Sequence, residues 1–218
     1  MRIELEKQDI PLVERFSDEG WKVRWDIRET TDKEGNGTGK WTCEEETVNY
    51  PPSLDDIKGM VADWQDKQTD GAIRHGYVWN EKKVLLSDEN RANFKAVFDL
   101  AVMVEPQLQA WDAAHPLLAG QQYTLEEAKM PDGTPMLDEA GVPIMVQVPT
   151  GRPKAVLPTT FKLGDREDPN FHTFTTLEEL TDFYTGGMTH VSSCYESGWV
   201  KGSTFDFAPY EAALEALG

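Results

Sequence analysis

Val84–Val104 reads VLLSDENRANFKAVFDLAVMV, and this stretch decides the fold. A short apolar run, Val84 to Leu86, meets Ser87, whose hydroxyl can accept from the free N–H groups of a first helical turn. Asp88 and Glu89 complement the positive end of that helix. Phe94, Val97, Phe98, Ala101 and Val104 then recur at helical spacing along one face. Leu100, Val102 and Met103 widen that face until little of the second half is polar, which predicts a helix inside the fold and not on its edge. Phe98 lies mid-stripe, so its truncation is expected to be the most damaging in the chain, about 3–5 kcal/mol if it is fully buried.

Upstream, Gly76–Trp79 and Val84–Leu86 flank the turn Asn80–Lys83, a compact hairpin that delivers the chain into this helix. Before it, Pro51-Pro52 marks a boundary, and Ser53 with Asp56 comes close to a capping box. Leu54, Ile57, Met60 or Val61, and Trp64 give that helix its buried stripe, which fades in the polar run DKQTDG. Residues 1–50 read as β structure. Trp21, Val23, Trp25 and Ile27 alternate with charged residues, and the Gly-rich stretch Thr31–Lys40 joins this strand to a second over Lys40–Tyr50. Ile3–Leu5 and Leu12–Phe16 are candidate added strands. Gly35, Gly37 and Gly39 precede a strand and not a helix N-terminus, so they read as a hairpin tip and not a phosphate cradle.

Downstream, Pro106 removes an N–H and is expected to bend or end the helix near it, while Leu108, Trp111 and Ala114 can continue one apolar face as far as Pro116. Residues 118–155 carry two similar units eight residues apart, Gly133–Leu137 (GTPML) and Gly141–Met145 (GVPIM), each a turn signal before a short apolar strand. The plain reading is a protruding β excursion, so Gly120–Pro153 should be replaceable by a short linker. Leu157–Leu163 and Phe171–Thr175 read as strands joined by the acidic turn GDREDPN, which lacks the spacing of a calcium loop. Thr176 and Glu179 cap a helix faced by Leu177, Leu180, Phe183 and Tyr184. Gly186-Gly187 should break or bend it before Met188, Val191, Tyr195 and Trp199 resume the stripe, and Pro209 opens a terminal helix.

A net charge of −18 works against binding nucleic acid or an anionic membrane. Seven Trp and nine Phe argue against disorder as the other consequence of that charge. The N-terminal MRIELEKQDI has no apolar signal core, and no run approaches about 20 apolar residues, so a soluble protein made in the cytoplasm is expected. Cys43 and Cys194 lie far apart without metal-ligand spacing, and a buried thiol is the expected state of each.

The four histidines are scattered, and neither a nucleophile elbow nor a phosphate loop is present. His190 and Cys194, four apart on one helix face, are better read as packing than as a reactive pair. With 39 carboxylates, some pair falls at glycosidase distance by chance, and the sequence singles none out. No catalytic, cofactor or metal-binding residue is therefore assigned. The residues assigned to protein binding are Tyr77, Trp79, Met136, Leu137, Ile144 and Met145, with Tyr77 and Trp79 becoming core if their hairpin is buried.

Tyr77-Val78-Trp79-Asn80, Leu86–Asn90, Asn93–Ala96 and Asp99–Val102 resemble a known family, as do Leu157-Pro158, Phe161–Gly164, Phe174–Leu180, Phe183-Tyr184, Gly198-Trp199, Lys201 and Tyr210. This family is a domain of unknown function, the DUF4376 type, of phage and prophage tail-associated proteins, in a form similar to those of Bacteroidetes prophages. The resemblance covers about 53–104 and 156–217 and rests on packing motifs, so it speaks to fold more than to activity. Members pass almost directly from the Asp-Leu-Ala-Val helix to the Leu-Pro-x-x-Phe-Lys strand, whereas here Glu105–Ala155 intervenes.

The expected fold is α+β: an N-terminal β-hairpin module over 1–50, then a helical core with two β-hairpins over 51–218, interrupted by a β-rich insertion at about 118–155. The resemblance implies a virion structural protein of the phage tail, near fibre or baseplate, that acts by protein–protein binding and not as an enzyme. Its partners would be other tail proteins, with self-association open, and its location the virion after synthesis in the bacterial host cytoplasm. A tail-fibre assembly chaperone and a glycan-active hydrolase stand as alternatives.

Overall fold

Residues 1–6 and 10–217 are described by the structure, a computed structural model. The alternating run at Trp21 forms β3 (Trp21–Thr31), which pairs with β4 (Gly37–Val48), while β1 (Arg2–Leu5) and β2 (Val13–Arg15) complete an antiparallel sheet of order β1-β4-β3-β2. A bulge interrupts β3 between Trp25 and Arg28, and Asp26 there takes a positive φ of 51°. Next comes α1 (Leu54–His75), with Ser53 and Asp56 bonded reciprocally: the Ser53 N–H donates to Asp56 Oδ2 at 2.8 Å and the Asp56 N–H to Ser53 Oγ at 3.2 Å. β5 (Tyr77–Trp79) and β6 (Lys82–Val84) form the expected hairpin in a tighter form: the turn is Asn80 and Glu81 alone, both at positive φ, and Lys82 and Lys83 belong to the second strand. They lead into α2 (Asp88–Ala114), capped by Ser87. β7 (Tyr123–Glu127) and β8 (Met145–Pro149) pair with each other, as do β9 (Thr159–Lys162) and β10 (Phe171–Phe174). α3 (Leu177–Ser203) and α4 (Ala208–Leu217) end the chain, and the fold is α+β.

The chain packs as two units, Met1–Ala72 with Ser192–Gly218, and Ile73–Val191. In the first, Val13, Val23 and Trp25 of the sheet bury against Ile57, Val61 and Tyr210. Arg24 is buried there with Glu45 at 2.8 Å and Glu14 at 2.7 Å. Burial opposes its charge, but hydrogen bonds to Glu14 and Glu45 outweigh that and raise its pKa. The Tyr210 hydroxyl donates to the Arg24 carbonyl at 2.9 Å, and burial pushes its pKa up to about 12. Cys43 is buried as expected, whereas Cys194 is only half-buried, which corrects the expectation of a buried thiol at both positions. Burial raises the pKa of the Cys43 thiol.

In the second unit Phe183 sits among Tyr77, Trp79, Phe94, Phe161 and Phe174. The Leu85 N–H donates to the Leu163 carbonyl at 2.7 Å, tying the β6 end of one hairpin to the β9 end of another.

The structure corrects or narrows several expectations. α2 shows the core one narrow stripe, Phe94, Ala101 and Leu108, while Leu100, Val102 and Met103 are 45%, 45% and 56% exposed. Phe98 is only half-buried, its ring stacked on Tyr184 at 4.4 Å. α1 continues through DKQTDG to His75, because Ile73 beyond that polar run is buried and anchors the last turn. Pro106 lies within α2 without ending it; the carbonyl left without an amide partner belongs to exposed Val102, where water can reach it. Gly186-Gly187 does not break α3, since these glycines accommodate the Tyr77 ring: a Cβ on Gly186 would lie 2.4 Å from the Tyr77 hydroxyl. No helix among the described residues is long and apolar enough to cross a membrane.

Candidate protein-interaction site

Tyr77 and Trp79, assigned above to binding, are buried at 8% and 6% exposure, which removes them from any contact surface. In β5 their side chains share the inward face while Val78 points out at 56% exposure. The Tyr77 hydroxyl donates to the Phe183 carbonyl at 3.1 Å, and burial, with the Asp182 charge adding, pushes its pKa up to about 12. The Trp79 indole donates to Asp182 at 2.9 Å and meets the His172 ring edge-on at 4.8 Å. His172 in turn lies 2.7 Å from Glu179 and 3.2 Å from the Lys82 ammonium. These polar groups satisfy the rim of an aromatic core.

The other four assigned residues, Met136, Leu137, Ile144 and Met145, are all exposed, at 39%, 54%, 38% and 50%. They belong to an arm over residues 120–153 in which no residue is buried. Its stem is β7 paired with β8, from Tyr123 opposite Pro149 to Glu127 opposite Met145. Beyond the stem the chain makes two small loops, closed by bridges between Lys129 and Pro135 and between Leu137 and Pro143. Asp132 and Asp138 each accept backbone N–H bonds from the residues after them, and Gly133 and Gly141 turn the loops at φ of 86° and 80°. Hydrogen bonds from Thr134 hold the Asp132 carboxyl below its ordinary pKa.

Stem and loops meet at a ring of three hydrogen bonds. The Met136 N–H donates to the Ala128 carbonyl at 2.7 Å, the Ile144 N–H to the Met136 carbonyl at 2.9 Å, and the Ala128 N–H to the Ile144 carbonyl at 2.8 Å. The eight-residue spacing of the GTPML and GVPIM units is thus the spacing of a three-way junction.

The arm is pinned at its base. Arg152 makes a two-pronged bond to Asp112 of α2, 2.7 Å on each side, and the Gly120 N–H reaches the same carboxylate at 3.3 Å. The Arg152 bond is the main cause that lowers the Asp112 pKa. Glu105 Oε1 accepts from the Val156 and Leu157 amides, both at 3.1 Å, fixing the chain where it returns.

Five further arm residues, not assigned from the sequence, are exposed to the same degree: Tyr123, Leu125, Met130, Val142 and Val146. Tyr123 and Leu125 alternate with Thr124 and Glu126, so a period-two reading of β7 would have found them. A two-stranded hairpin is marginal in water by itself, and apolar groups left in water at this density mark interaction surfaces. No family model, no curated protein and no solved structure matches the chain.

Proposed function

We propose that this protein works by binding another protein through the arm at 120–153, as a structural component of a phage tail. The observation that carries the binding role is the set of nine exposed large apolar side chains on a segment with no buried residue, held at its base by the Asp112–Arg152 fork. The tail assignment rests on the resemblance of residues 53–104 and 156–217 to the DUF4376-type domain, and the arm replaces the short connection of that family. A specific interface buries about 1,200–2,000 Å² in total, within reach of an arm of this length and exposure.

The test is recovery of the chain in purified phage particles, compared with a variant whose residues 121–151 are replaced by a Gly/Ser linker. The full-length chain should be retained and the folded variant lost. A chain that stays free in infected cells and associates with no tail protein, with or without the arm, overturns the reading.

A further inference from the structure

Within the first unit, α1 and the last turns of α3 approach closely. Gly198 faces Thr69, where a Cβ would stand 2.5 Å from the Thr69 hydroxyl, and Gly202 faces Gln65. Small residues four apart bring the two helices together and leave the larger side chains on either flank. On one flank lies a groove of about 730 Å³. One wall is aromatic: Tyr195 and Trp199, one turn apart on α3, with Phe207 at the end. The opposite wall carries Asp66 and Asp70, one turn apart on α1.

Two features of this groove are costly to the protein alone. Trp199 is 70% exposed, and its ring runs nearly parallel to that of Tyr195, at 21° with 6.1 Å between centroids. A large ring kept in water is an unspent source of binding energy, and Trp and Tyr are the residue types that dominate interface energetics. The carboxylates of Asp66 and Asp70 have neither an ion-pair partner nor a hydrogen-bond partner among the described residues, in a chain that already carries −18. Among the described residues Lys58 is the one cation that lines the groove, about 12 Å along the helix from Asp66. It lies 6.0 Å from the centre of the Phe207 ring and 3.8 Å from Asp55, so the far end of the groove already holds an ammonium beside an aromatic ring.

Aromatic faces attract cations through their ring quadrupole, and a guanidinium adds bonding to carboxylates and flat stacking on indole. We propose that this groove binds a basic peptide segment of a partner protein, with an arginine side chain placed over Trp199 and Tyr195 and paired to Asp66 and Asp70. The site shares no residue with the arm, so each reading stands or falls alone.

The probe is a dye-labelled peptide with two arginines in a glycine background, titrated into the full-length protein by fluorescence anisotropy. Its controls are the same peptide with citrulline in place of arginine, and a neutral oligosaccharide. The arginine peptide should bind at least tenfold more tightly than the citrulline peptide and weaken as salt is raised. Asp66→Asn with Asp70→Asn should cost about tenfold in affinity, and Trp199→Ala about fivefold. All three side chains are exposed, so the unfolding midpoint of these variants should match the parent. Glu126→Gln with Glu127→Gln on the arm removes the same charge elsewhere and should leave affinity unchanged, which separates a site from general attraction to an acidic protein.

Equal binding of the arginine and citrulline peptides, or no binding of either, overturns the proposal. So does an equal loss in the arm variant. Trp199-dependent binding of the oligosaccharide in preference to the peptide also overturns it and assigns the aromatic wall to sugar.

Discussion

Phe183→Ala is the substitution that the packing of the second unit makes most damaging. The ring is 1% exposed, with Phe94 at 5.1 Å and 79°, Trp79 at 5.4 Å and 80°, and Phe174 at 4.9 Å. Deleting a buried Phe costs about 3–5 kcal/mol, through lost transfer energy and the cavity left behind. The two near-perpendicular ring pairs are each worth about 0.5–1.5 kcal/mol beyond burial, which places this site in the upper half, about 4–5 kcal/mol. For a chain of this size that is a fall in Tm of about 8–20 °C. Phe98→Ala is the internal comparison. Half-buried and stacked on Tyr184 alone among the rings, Phe98 should cost roughly half as much. The measurement is urea unfolding, with hydrogen exchange at the β5, β9 and β10 amides to read this unit separately from the other. A loss at Phe183 no larger than at Phe98 would refute the assignment of the core to this aromatic cluster.

Replacing 121–151 by a short Gly/Ser linker, with Arg152 kept, should leave cooperative unfolding of both units intact; a broadened transition would show that the arm belongs to the core. Asp112→Asn should lower exchange protection across β7 and β8 while sparing β5 and β6, and unchanged protection in β7 would mean the fork does not hold the stem. Because the Asp112 pKa is lowered from its ordinary 3.8, the fork's contribution is complete above about that pH and is lost as pH falls through the lower folded value, so β7 protection should drop selectively there. Gly186→Ala, which in an open helix would gain about 1 kcal/mol, should instead destabilise by about 1–3 kcal/mol, and Tyr77→Phe should recover part of the loss by removing the hydroxyl it strikes.

The helix starts were legible because capping is local. Ser53, Ser87 and Thr176 each hold an amide of the first turn, and three residues suffice to see it. The end of α2 was legible too, since its apolar face runs on through Leu108 to Ala114 just before Pro116, but the run of α1 through DKQTDG and of α3 through Gly186-Gly187 was not, because contacts distant in sequence decide them. Gly186 looks like a breaker until the Tyr77 ring, more than a hundred residues upstream, is placed against it. Burial of α2 was overestimated for a related reason. Leu100, Val102 and Met103 satisfy a hydrophobic pattern, but a pattern records apolar side chains and not the presence of something to cover them.

The arm shows the same division more sharply. The likeness of the two units GTPML and GVPIM is visible in the sequence, and it is on them that Met136, Leu137, Ile144 and Met145 stand exposed. Their closure was not visible, since the third member of the ring, Ala128, carries no matching motif and enters only through its backbone. Asp112 and Arg152 are forty residues apart and look like any two surface charges. Yet their fork is what makes the arm more than a loose insertion: it fixes the root of a segment that buries nothing of its own. If the arm binds as proposed, its closed junction and pinned base meet part of the ordering cost in advance, and preorganisation of that kind raises the affinity that exposed apolar surface can give. Loosening the base by Asp112→Asn should therefore weaken partner binding even though Asp112 lies outside the arm, whereas a partner that holds the loosened arm as tightly as the native one would show that its contact supplies the order itself.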